Sequence, residues 1–322
     1  MTFKNTPGVK VLKLFILSAC IALCSFWGCK NNLLYVSPGN FYKPGKLSVQ
    51  VISLDAGQQF SNPVQMDIYA PQKSFRYPVI IFQHGFTGSI KSYETILHQL
   101  ASHGFVVVAP QMYPPGAEAN GLWPTYEEEA ALGVQIISWV QDNLNNIVPV
   151  NADTSLLGLA GHSRGGQAAY RMALLVPEKV AALAGVDPVD GTVPYVNGPL
   201  DITFPTYILG TGLGTEPVPG TPYACAPAIR GYQHFYDANP SPSWLAVATE
   251  NGHADMIDEN VLCPNSVCNI SCPGGPNRDG MRSFTAGTLA AFFSGALQGH
   301  KQAFLVLTGN SDAPVPCTME KK

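Results

Sequence analysis

The chain reads as an α/β protein with a mostly parallel central sheet and helices on both faces. Three observations predict this. Short, continuously apolar runs such as Val79-Ile80-Ile81-Phe82 and Val106-Val107-Val108-Ala109 have no polar face, so both sides of these strands must be covered. Segments of helical periodicity alternate with them, the pattern that lays successive strands parallel. One strand runs straight into a Gly-x-Ser-x-Gly turn and then a helical run, fixing how strand and helix meet there.

In chain order, Leu47 to Leu54 and Val64 to Tyr69 alternate as antiparallel strands joined by a Gly/Gln/Ser/Asn/Pro turn. Pro78 to Phe82 is a buried strand ending at Gln83-His84-Gly85-Phe86. Lys91 to Ser102 sets Tyr93, Ile96, Leu97 and Leu100 on one helical face and stops at Gly104. Phe105 to Pro110 is a second buried strand, and a Pro/Gly-rich loop leads to a long amphipathic helix from Tyr126 to near Asn145. After the serine-bearing strand, Val180 to Val186 and Phe204 to Leu209 are further strands. Trp244 to Thr249 is the last, and Met281 to Leu297 a closing helix. No repeat or second domain is visible. The expected layout is a leader at 1–29, a linker at 30–45, one domain at 46–305 and a tail at 306–322.

Gly161-His162-Ser163-Arg164-Gly165-Gly166 follows the strand Ser155 to Ala160 and precedes the helical run Gln167 to Leu175. That order is the nucleophile elbow of the α/β-hydrolase fold. Gly161 and Gly165 stand where a Cβ would clash as strand and helix backbones converge. Ser163 is left at the apex, and the helix N-terminus behind it favours developing negative charge.

A serine hydroxyl needs a histidine base held by a carboxylate. In this fold the chain order is Ser, then Asp or Glu, then His, each beyond a strand's C-terminal end. Asp187 sits where the strand after the elbow helix gives out, with Asp190 and then Asp201 as the next choices. His253, in Gly252-His253-Ala254-Asp255-Met256, follows the last predicted strand and takes the base role; His234 and His300 read as structural. Oxyanion stabilisation needs backbone N–H donors. Arg164 supplies one, and Phe86 in the His84-Gly85-Phe86 turn the other. His84 and His162 read as packing and loop-ordering residues, and the Arg164 side chain as half of a structural ion pair. This chemistry needs no metal and no organic cofactor.

The 322 residues are 46% hydrophobic, enough for one large core. Only 12% are charged, against about a quarter in ordinary domains. A net charge of −4 gives no reason to expect nucleic acid as a partner. Low charge with many aromatics fits apolar substrates or work near a membrane surface. Lys4, Lys10 and Lys13 precede the apolar run Leu14 to Gly28, a secretory signal pattern. Leu17-Ser18-Ala19-Cys20 and Trp27-Gly28-Cys29 both resemble a lipobox, so the expectation is an exported lipoprotein lipidated at Cys20 or Cys29. A secreted or periplasmic soluble form ranks next, and anchoring by an uncleaved helix after that. Cys225, Cys263, Cys268, Cys272 and Cys317 lie beyond the leader. Three of them are bunched in a Pro/Gly/Asn-rich loop, which reads as a disulfide staple rather than a zinc site.

The chain resembles the chlorophyllases, serine esterases that cut the phytyl ester of chlorophyll. The resemblance rests on Pro78 to Phe86, Leu100 to Tyr113, the Gly161 to Gly166 hexapeptide, Gly185 to Gly191, Leu209 to Gly214, Cys225-Ala226-Pro227 and Gly252 to Asp258. It covers roughly residues 46 to 300 and implies Ser163, Asp187 and His253 as a triad, with hydrolysis of chlorophyll to chlorophyllide and phytol. The loops at Phe86 to Lys91 and Met112 to Tyr126 depart from the family pattern, and the leader points to a bacterial relative. Two other readings stand beside it: a general exported lipase, esterase or polyester hydrolase, and a non-catalytic lipid-anchored binding protein on a hydrolase scaffold.

Overall fold

The computed structural model describes residues 41–114, 121, 123–192, 194–258, 272–309 and 312–322. The leader with Cys20 and Cys29, most of the linker, and Cys263 and Cys268 lie outside the described residues. Nine strands among those described form one sheet: β1 (Val49–Leu54), β2 (Met66–Pro71), β3 (Arg76–Gln83), β4 (Val106–Pro110), β5 (Asn151–His162), β6 (Ala182–Val186), β7 (Thr206–Thr211), β8 (Ser243–Ala248) and β9 (Cys317–Lys321). Their spatial order is β1-β2-β4-β3-β5-β6-β7-β8-β9. From β4 to β8 every neighbouring pair is parallel, while β1, β2 and β9 add antiparallel margins. The sheet is mostly parallel, as the unbroken apolar runs require.

The α-helices among the described residues are α1 (Glu94–Ser102), α2 (Tyr126–Asn143), α3 (Arg164–Leu175), α4 (Tyr232–Ala238) and α5 (Arg278–Leu297). On one face Ile96, Leu97 and Leu100 of α1 and Phe284, Phe292 and Phe293 of α5 pack against Ile80, Phe82 and Val107. On the other, Ile136 and Val140 of α2, Ala169 and Met172 of α3 and Phe235 of α4 cover Val79, Ile81 and Leu159. Both faces are therefore dry, and fully burying each such side chain contributes about 1.5–3 kcal/mol.

The direction of winding reverses between β3 and β5. The chain leaves β3 through α1 toward β4 on one side, and leaves β5 through α3 toward β6 on the other. Such a switch point opens a crevice at the strands' carboxyl ends, where open α/β sheets hold their ligands. Gln83 and Gly161 are paired in register there, so the two loops that follow them meet.

The C-terminal margin differs from expectation. Trp244 to Thr249 is not the last strand, and residues 306–322 are not merely a tail, because Cys317–Lys321 pairs antiparallel with β8. This edge strand turns Cys317 and Met319 toward the core and leaves Thr318, Glu320 and Lys321 exposed. Five residues with two charges carry no apolar run to mark them, and charged edge strands blunt unwanted pairing.

Candidate active site

Ser163 stands between the end of β5 and the first residue of α3 with φ 56° and ψ −123°. A non-glycine residue in that region is strained and persists only when its surroundings over-determine it. Here its N–H donates to Val186 O at 3.0 Å, and its carbonyl accepts from Gly166 N at 3.0 Å and Val189 N at 3.2 Å. A Cβ on Gly161 would lie 2.2 Å from Gly165 O, and one on Gly165 only 2.3 Å from His84 O. The absence of side chains at these two positions lets β3, β5 and α3 converge.

His253 lies in the turn after β8. Its Nδ1 is 2.7 Å from Asp187 Oδ2 and its Nε2 is 2.9 Å from Ser163 Oγ. The carboxylate can only accept, so Nδ1 carries the hydrogen and Nε2 is left to accept the serine proton. Asp187 is fully buried at φ 41° just past β6. Its charge is met by three donors: His253, Thr211 Oγ1 at 2.6 Å and Thr211 N at 3.2 Å. The His253 turn is pinned in its own right, since Asp255 Oδ2 accepts Gly252 N–H at 2.8 Å and Gly275 N–H at 2.7 Å.

The turn carrying Phe86 is ordered from beneath by His84. That ring is buried, and burial pushes it down to about 4, with Arg164 adding to the effect against the pull of the Gly85 carbonyl. Kept neutral, it donates Nδ1–H to Gly85 O at 2.8 Å and accepts Met112 N–H on Nε2 at 3.1 Å. Gly85 lies against the elbow closely enough that a Cβ there would be 3.4 Å from Ser163 Cβ. Arg164 begins α3, so its N–H has no partner within the helix.

The Arg164 side chain turns away into a buried pair, Nε to Glu129 Oε2 at 2.7 Å, and donates from Nη2 to Pro124 O at 2.6 Å. Its guanidinium lies over the Tyr126 ring, 4.3 Å from the centroid. Burial raises the Glu129 carboxyl to about 7, outweighing the attraction of Arg164.

The other candidates are occupied elsewhere. Asp190 accepts from Gln167 Nε2 at 2.7 Å and from Gly191, Tyr195 and Val196 N–H groups, which closes its own loop. Asp201 is exposed, His234 Nε2 lies 3.8 Å from Asp190, and His300 Nδ1 meets Ser294 Oγ at 2.9 Å. Sequence reasoning missed Thr211, Glu129 and the Tyr93 hydroxyl, which accepts Gly85 N–H at 3.0 Å. Glu129 alone left a signal: it shares the face of α2 that carries Gly133, Ile136 and Val140, where an unpaired charge would not be tolerated.

A cleft of about 640 Å³ opens above Ser163, lined by Phe86, Trp123, Tyr126, Val218, Tyr223 and Ile257 among others. Its wall carries a disulfide between Cys225 and Cys272, so Cys272 is tied to a distant loop rather than to its neighbours in the cysteine bunch. Cys317 is half-buried and a free thiol among the described residues. Among the described residues no group of three His, Cys, Asp or Glu side chains is placed to hold a metal.

A serine elbow at the switch point of a mostly parallel sheet, faced by a histidine at hydrogen-bond distance, is the architecture of an α/β-hydrolase fold enzyme of the serine hydrolase class. The chain belongs to the chlorophyllase family, whose model, described as Chlorophyllase, matches residues 37–322. It is 28% identical to Chlorophyllase-2 of Arabidopsis thaliana over 318 residues, covering 88% of this chain and 97% of that protein. Identity with Chlorophyllase-1 of the same plant is 33%, covering 74% of this chain and 81% of that protein. Cutinase est1 of Thermobifida alba is 27% identical over 62% of this chain and 58% of that protein. The protein is accordingly a carboxylic ester hydrolase acting on an ester substrate of hydrophobic character.

Proposed function

We propose that the protein is a chlorophyllase-type esterase that releases phytol from chlorophyll or pheophytin, with Ser163 as nucleophile, His253 as base and Asp187 as its orienting acid. The observation that carries this reading is the continuous hydrogen-bonded set from Asp187 through His253 to Ser163 at the floor of an aromatic cleft. Ser163 Oγ attacks the ester carbonyl as its proton passes to His253 Nε2. The tetrahedral oxyanion is held by the Phe86 and Arg164 N–H groups, and such a donor contributes about 3–4 kcal/mol to the barrier reduction. His253 then protonates the leaving alcohol, and water activated by the same ring cleaves the acyl-enzyme. Asp187 keeps the imidazole in the tautomer that each step needs.

Phe86, Trp123 and Tyr223 are exposed at the cleft and suit a long apolar leaving group presented from a membrane surface. The leader reading fits the same picture: export, with lipidation at Cys20 or Cys29, brings the cleft to the lipid. Among the described residues no helix is long and apolar enough to cross a membrane. Similarity to Cutinase est1 favours a second reading, a broader esterase or polyester hydrolase on the same residues.

Parallel assays on chlorophyll and on short p-nitrophenyl esters separate the two. Pigment turnover comparable to or faster than that of the short esters is expected. Rapid short-ester hydrolysis with no chlorophyllide formed would contradict the chlorophyllase reading.

A further inference from the structure

We infer that Tyr93 and His162 are positioning residues that tie the oxyanion turn to the backbone of the base, holding Gly85 and His253 at a fixed separation on either side of Ser163. The inference rests on the roles proposed above for Ser163 and His253. His162 occupies the variable position of the elbow. Its buried ring lies 5.7 Å from that of Tyr93 and 4.6 Å from that of His253, centroid to centroid.

Hydrogen-bond chemistry fixes the direction of every link. His162 Nε2 is 2.9 Å from the carbonyl oxygen of His253. A carbonyl can only accept, so Nε2 carries the hydrogen, and in a neutral imidazole Nδ1 is then a bare acceptor. The group facing Nδ1, at 2.7 Å, is the Tyr93 hydroxyl, which must donate. Its oxygen is left to accept the Gly85 N–H at 3.0 Å. One ordered chain results: Gly85 N–H to Tyr93, Tyr93 O–H to His162, His162 Nε2–H to the His253 carbonyl. Burial, with the His253 ring alongside, holds His162 well below the ordinary histidine range, so the chain keeps its polarity at neutral pH.

The same segment grips the far end of the base loop. Tyr93 closes the 3₁₀ turn Ile90–Tyr93, where Ser92 O accepts Asp258 N–H at 2.9 Å and Thr95 N–H donates to Asp258 Oδ2 at 3.0 Å. Oxyanion turn and base loop are thus both bound to one short segment, the first through the Tyr93 hydroxyl and the second through the backbone of Ser92 and Thr95. Acyl transfer needs nucleophile, base and oxyanion donors aligned in one transition state, so small displacements appear as lost rate rather than lost binding.

The test is the kinetics of Tyr93→Phe, His162→Leu, their double variant and His162→Gln on a soluble short-chain ester, with thermal midpoints in parallel. Tyr93→Phe and His162→Leu should each lower kcat by about 10- to 100-fold with KM within about twofold. The double variant should be no worse than the poorer single, because both break the same chain. His162→Gln keeps a donor and an acceptor and should retain about a third or more of kcat. Tyr93→Phe within about threefold of wild type, or a double variant showing the product of the single losses, overturns the inference. Should His162→Leu not fold, Tyr93→Phe and His162→Gln decide. A Ser163→Ala protein that still turns over would overturn the triad reading instead, whatever Tyr93 does, so the two failures are distinguishable.

Discussion

The Thr211 hydroxyl donates to the same carboxylate oxygen of Asp187 that receives His253 Nδ1–H, at 2.6 and 2.7 Å. Thr211 ends β7, one strand over from the strand that Asp187 follows, so the Asp187 carboxylate is locked by its neighbour in the sheet. Thr211→Val removes the hydroxyl at nearly constant volume and is expected to lower kcat about tenfold, with KM little changed. Asp187→Asn should cost far more, about 10⁴-fold, because the wrong imidazole tautomer is then favoured. An Asp187→Asn loss of only about tenfold, no larger than that of Thr211→Val, would show that the carboxylate does not orient His253.

Gly161→Ala places a methyl against the Gly165 carbonyl oxygen, a backbone atom that cannot rotate away. Strand and helix must separate, at a cost of about 3 kcal/mol or more. The expected result is a thermal midpoint lowered by roughly 6–12 °C, together with loss of hydrolysis. A stable, active Gly161→Ala protein would mean that the elbow is looser than described.

The Glu129–Arg164 pair should give stability a pH dependence of definite sign. Burial sets the folded Glu129 value at about 7, above the ordinary 4.5. The folded state therefore binds the proton more tightly than the unfolded chain, and this contribution to stability is lost as pH rises to about 7 and is level beyond. Glu129→Gln lacks it. The stability of wild type minus that of Glu129→Gln, measured by denaturant unfolding, should fall between about pH 5 and 7.5 by no more than a few kcal/mol. A difference that grows across that window would mean that attraction to Arg164 outweighs burial.

Cys225 and Cys272 close a loop across 47 residues at the cleft wall. Such a crosslink restrains the unfolded chain by up to about 4 kcal/mol. Dithiothreitol should lower the thermal midpoint of wild type by several degrees, and Cys225→Ser/Cys272→Ser should be lowered without reductant and respond little to it. A double variant as stable as wild type would show that the loop is held by packing instead.

Much of this architecture was legible in the sequence, for reasons that mark where legibility stops. The buried strands declared themselves because both faces are apolar, and the elbow because Gly161 and Gly165 are demanded by backbone contact. Asp187 and His253 could be selected by chain order at strand ends. Thr211 could not, since a threonine between two glycines reads as a turn, and its partner is fixed only by strand pairing. Tyr93 was legible as an apolar helix position, but its hydroxyl acquires a function only where Gly85 and His162 meet it. Cys317–Lys321 is too short and too charged to stand out, and its pairing with β8 is a long-range contact with no local signature.

The most direct test of the central claim, that Ser163 is the activated nucleophile, is covalent labelling of the full chain with a fluorophosphonate probe, located by peptide mass spectrometry. A single adduct on the Ser163 peptide is predicted, absent in Ser163→Ala and formed at least about 100-fold more slowly in His253→Ala, in step with the loss of ester hydrolysis. An adduct on another residue, or undiminished ester hydrolysis by Ser163→Ala, would contradict it.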